Sequence, residues 1–229
     1  MAVAATAVAA LALAGAGASG GGSRSSWRFE LVSLAWTSTS AWRATSVRTD
    51  TGCPGVSPRS GRTTVSGAYT GRPAPLRVSG ARATTSRLRL EIDSVHRGTY
   101  ALVECGTRAS LGTRNCARRT SARGSGAIAV EVQEGRRRAQ VTWDIPVATF
   151  GDCIPTRIYD TADQRVAKLV ASLRRQAYPL ARLDVPRGHP VTLVWLGPEL
   201  EWSVRQRDPA RASTAGTFVW TARLVLRRL

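Results

Sequence analysis

Apolar and polar residues alternate along four stretches of the chain. Trp27, Phe29 and Leu31 alternate with Arg28 and Glu30, and Leu88, Leu90 and Ile92 with Arg87, Arg89 and Glu91. Ile128, Val130 and Val132 alternate with Ala129 and Glu131, and Val141, Trp143 and Ile145 with Thr142 and Asp144. A period of two turns one set of side chains to a core and the other to water, so each stretch predicts a half-buried strand. Weaker runs predict further strands at 62–69, 99–104, 191–196, 200–205 and 217–226. Arg97-Gly98, Glu134-Gly135 and Arg187-Gly188 are turn signals between them. Glu134-Gly135 joins two strongly alternating runs and predicts a hairpin. One segment fits both periods. Val166, Leu169, Val170 and Leu173 have helical spacing, with Thr161 and Gln164 as a capping box, while Ala167, Leu169, Ala171 and Leu173 alternate as a strand would. The all-β surroundings favour a strand over 160–175.

The pattern predicts an all-β protein. Between Gly106 and Gly126 large apolar residues are scarce and Gly, Ser, Thr and Arg dominate. This predicts a connecting segment, 107–126, between two small β-sandwich domains of immunoglobulin-like character, 27–106 and 127–229.

The N-terminus changes the compartment. Residues 2–18 contain only Ala, Val, Leu, Gly and one Thr. The apolar run Ala2–Ala14 is shorter than the roughly 20 residues that cross a bilayer, and it fits the apolar region of a secretory signal. Ala14-Gly15-Ala16 and Ala16-Gly17-Ala18 both offer the small-x-small pattern of a cleavage site. The expectation is a signal peptide over 1–18, a flexible linker over 19–26, and a secreted or envelope-associated protein without a transmembrane segment.

The formal net charge is +18, and Lys168 is the only lysine among 33 basic side chains. A GC-rich coding bias accounts for Arg in place of Lys, but not for the excess of base over acid. The excess points to an anionic partner, an envelope polymer or a membrane surface. No helix-turn-helix spacing or RNA-binding aromatic signature is visible, so nucleic acid is not the expected partner. The densest cluster is Arg136-Arg137-Arg138. Trp36 and Trp42 lie in a Ser/Thr-rich stretch with little other apolar matter, which makes them the expected exposed aromatics. Trp36, Trp42, Arg136, Arg137 and Arg138 are therefore the candidate ligand-binding residues.

Cys53, Cys105, Cys116 and Cys153 allow three pairings. Pairing Cys53 with Cys105 and Cys116 with Cys153 would give each expected domain its own cross-link, worth roughly 3–4.5 kcal/mol in the chain-entropy model. Zinc is not expected, because no Cys-x2–4-Cys knuckle exists. Disulfides suit an exported chain. The stretch Asn115-Cys116-Ala117-Arg118-Arg119-Thr120 and the later Phe150-Gly151-Asp152-Cys153-Ile154-Pro155 flank a predicted hairpin. In this the chain resembles a group of secreted actinobacterial β-rich proteins of no known activity, with a Cys-Gly-Thr-Arg-like and a Phe-x-x-Cys-Pro-like motif. Cys116-Ala117-Arg118 departs from the first motif, and Ile154 interrupts the second. The resemblance implies export and β structure, and no activity.

Catalytic spacing is hard to find. His96 and His189 sit in expected surface turns with no spaced partner. Asp50-Thr51-Gly52 and Asp160-Thr161-Ala162 resemble aspartic-protease triplets but lack the preceding apolar strands. Glu199 and Glu201 flank Leu200 in a predicted strand. The expectation is a non-enzymatic binding or structural module without cofactor or metal. The alternative is a secreted hydrolase with an unrecognised carboxylate pair.

Overall fold

A computed structural model of the chain describes residues 27–44, 55–104, 110–148, 168–205 and 213–229. The signal and linker expected over 1–26, and both aspartic triplets, lie outside these residues. The first strand, β1 (Phe29–Ala44), turns Phe29, Leu31, Leu34, Trp36, Ser38, Ser40 and Trp42 inward. A register shift between Leu31 and Ser33 moves the inward positions from odd to even, the signature of a bulge.

β1 lies inside an antiparallel layer. On one side it pairs along its length with β12 (Ser213–Arg228), from Phe29↔Arg228 to Ala44↔Thr214. β12 in turn pairs with β10 (Pro190–Leu196) and with β11 (Leu200–Arg205). On its other side β1 pairs with β2 (Gly55–Tyr69) and, near its start, with β3 (Ala74–Pro75). β2 pairs with β6 (Leu88–Val103), and β6 with the 24-residue β7 (Ser110–Gln133). β7 then continues into a second group of strands. Its C-terminal part pairs with β5 (Arg82–Thr84), which carries β4 (Arg77–Ser79), and with β8 (Arg138–Asp144), which carries β9 (Arg175–Pro179).

The second group packs on the inner face of the first. Trp143 of β8 meets Trp220 of β12 edge-on, with ring centroids 6.1 Å apart. Phe29, Leu31, Leu90, Ile128, Val141, Leu193 and Leu224 are buried in the same cluster. The Trp27 indole N–H donates to Glu134 Oε1 at 2.8 Å, so the first described residue is fastened to the β7–β8 hairpin.

The protein is all-β, as the alternation predicts, but its organisation differs from two separate sandwiches. β1 and β12 come from the two expected halves and share one ladder, and one apolar cluster draws on both. Residues 110–126 are not a connection: they form the N-terminal part of β7 and pair with β6, in one register from Gly112 to Gly126. Small polar residues serve there because that strand is exposed on both faces. Arg97-Gly98 is not a turn either. It lies within β6, which merges the strands expected at 87–92 and 99–104, and His96 is buried there at 5% exposure instead of sitting in a surface turn. Residues 168–173 are helical, against the strand expected for them. Buried Val170, with half-buried Leu169 and Leu173, satisfies the helical spacing against the core. The Glu134-Gly135 hairpin does form, closing Gln133↔Arg138.

Candidate functional site

The outward face of the long strands is built by the same alternation that builds the core. Two neighbouring outward rows cross β1, β2, β6 and β7. One is Arg43–Ser60–Thr99–Asn115, the other Ala41–Arg62–Arg97–Ala117. Between them runs the inward row Trp42–Gly61–Gly98–Cys116. The small Ala41 and Ala117 flank the two arginines. The result is a shallow open depression of about 620 Å³.

Arg62 and Arg97 are directly opposed across the β2–β6 ladder, and both are exposed. Neither has a carboxylate partner among the described residues, where the ion pairs are Arg174–Asp144, Arg227–Glu30 and Arg228–Asp184. Thr99 Oγ1 donates to Asn115 Oδ1 at 3.2 Å on the rim. The site therefore holds two guanidinium forks side by side, with hydroxyl and amide groups beside them. Such forks match phosphate and carboxylate oxygens in pairs.

Gly61 and Gly67 of β2 act on the inner face. A Cβ on Gly61 would lie 2.5 Å from the Trp42 ring, and one on Gly67 would collide with Trp36. Each tryptophan lies over a glycine of the neighbouring strand and is thereby buried, Trp36 to 3% and Trp42 to 4% exposure. The expectation that they are exposed is thus overturned. Trp36 Nε1 also donates to the Pro146 carbonyl at 2.6 Å. Arg136, Arg137 and Arg138 are exposed as expected, at the tip of the β7–β8 hairpin, where Arg137 adopts a left-handed φ of 50°. The structure does not bring them together with Trp36 and Trp42, or with the depression. Cys116 carries a bonded sulfur. Cys53, Cys105 and Cys153 lie outside the described residues.

Sequence reasoning missed Arg62 and Arg97. Arg97 reads as part of a turn in sequence and Arg62 opens a weak run, and nothing in either stretch shows that β2 pairs with β6 in the register that opposes them.

The carboxylates offer less. Glu91 and Asp93 share the outward face two residues apart in β6, opposite Arg123 and Ser121. They are exposed, Ser121 Oγ donates to Asp93 at 2.5 Å, and the depression around them holds about 290 Å³. Glu201 is exposed on β11. Among the described residues no three His, Cys, Asp or Glu side chains converge, and no helix is long and apolar enough to cross a membrane.

No protein-family model, curated protein or solved structure matches the chain.

Proposed function

We propose that this is an exported, non-enzymatic binding module of the cell envelope or extracellular space, and that the depression around Arg62 and Arg97 takes an anionic group of an envelope polymer or membrane surface. The opposed arginine pair carries this reading. Like charges directly opposite on a sheet destabilise it, so a pair held without a carboxylate partner is a cost to the fold. A phosphate or carboxylate between the two forks converts that repulsion into four charge-assisted hydrogen bonds. Arg43 on the adjoining row, with Arg119 one row beyond, extends the positive field along the face.

Export rests on residues 1–18, on the resemblance to secreted actinobacterial proteins, and on the cysteines.

The test of export is the intact mass of protein recovered from its native source, alkylated with and without prior reduction. Loss of the first 16 or 18 residues, with no thiol available until reduction, is the expected result. A full-length chain with four free thiols would overturn it. Binding is tested by retention on isolated actinobacterial cell wall, which should fall steeply between low and high salt.

A further inference from the structure

We propose that the edge of β7 opposite β6 binds an extended acidic peptide segment by strand addition. From Ser110 to Gly126, β7 pairs with β6 on one side, and among the described residues no strand pairs with its other side. β5 and β8 engage β7 only beyond this stretch, from Ala127 onward. Strand edges left open are usually short, bulged or interrupted by proline. This one is long, has no proline, and keeps an unbroken register with β6 from Gly112 to Gly126. Its backbone groups are a template for another strand.

The side chains choose the occupant. Residues 110–126 contain Arg114, Arg118, Arg119 and Arg123 and no acid. All four arginines are exposed. Alternation puts Arg114 and Arg118 on one face and Arg119 and Arg123 on the other, so a docked strand meets positive charge on both sides. The spacing is symmetric about the centre of the stretch. A two-fold pairing of two copies keeps each face on its own side, so one centred on Arg118 or on Arg119 would oppose that arginine to its own copy. Like charges opposite one another disfavour that dimer. A strand with acidic residues at the mirrored spacing would instead place a carboxylate opposite every arginine, in either direction. A peptide would pair with the in-plane backbone edge of β7, whereas the proposed anionic group lies on the sheet face between Arg62 and Arg97, so either can fail without the other.

The probe is a synthetic fourteen-residue Thr/Val peptide with Glu at its third, seventh, eighth and twelfth positions. A second copy is N-methylated at every other residue, which keeps the charge and removes the pairing edge. With the oxidised full chain, the first peptide should bind and slow hydrogen exchange of amides in 112–126. The N-methylated peptide should bind at least about tenfold more weakly, as should the first peptide to the Arg118→Glu/Arg119→Glu variant. Equal binding of the two peptides, no slowing of exchange in 112–126, or a dimer whose β7 amides are already protected without peptide would each overturn the proposal. A pairing-dead variant that is merely misfolded is recognised by lost protection in β1 and β12.

Discussion

Tyr178 shows what burial does at one position. Its ring is buried in β9, and its hydroxyl has no hydrogen-bond partner among the described residues. Burial pushes the phenol up from 10.0 to about 12, against a smaller pull from the Arg182 charge. The unfolded phenol ionises first, so the stability tied to the neutral ring is fully present below pH 10 and is lost as pH rises from 10 toward 12. Tyr178→Phe is expected to match or slightly exceed wild-type stability at neutral pH, since it removes an unpaired hydroxyl. It should also flatten the alkaline decline. Urea midpoints across that range check this, and parallel pH slopes for the two proteins would contradict it. The aromatic–glycine pairs are the other residue-scale device. Gly67→Ala forces a side chain into Trp36 and should cost about 1–3 kcal/mol, read as a lowered melting temperature. This device is why Trp36 and Trp42 read as exposed in sequence. Their own strand offers few apolar neighbours, and what covers them is a missing side chain on another strand.

At the scale of elements, the Arg62–Arg97 pair sets ligand binding against stability. Arg97→Thr removes the repulsion and supplies a strand-favouring residue, so it should raise stability by about 0.2–1 kcal/mol while weakening retention on cell wall. Unchanged stability together with unchanged retention would mean that the pair is neither strained nor used. The strong alternations at 27–31, 87–92, 128–132 and 141–145 marked strands correctly, because a period of two survives any topology in which one face is buried. Gly98 misled as a turn signal because it lies opposite Gly61 in mid-sheet, where glycine makes room for neighbouring aromatic rings instead of bending the chain. Residues 110–126 misled in the opposite way. An edge strand wet on both faces shows no alternation, so composition alone made it look like a linker. The helical turn at 168–173 was legible as one of two patterns, and its packing against the core through Val170 decided between them.

The whole molecule is organised by the β1–β12 ladder, which joins residues near the two ends of the described chain. Neither strand has a signal for its partner, and this is why a division near 107–126 looked natural. With β1 and β12 in one layer and the apolar cluster shared, the described chain should unfold in one cooperative transition by calorimetry with its cysteines oxidised. Two separated transitions would restore the two-domain division. The net charge of +18 raises the question that matters most for function: whether binding resides in one face or in the charge of the entire surface. The deciding measurement compares retention on isolated cell wall at moderate salt for two variants that remove the same charge, Arg62→Gln/Arg97→Gln and Arg136→Gln/Arg138→Gln. The arrangement of the site predicts that the first loses most of its retention and the second keeps it. Equal losses from both would place the affinity in diffuse charge and contradict the site.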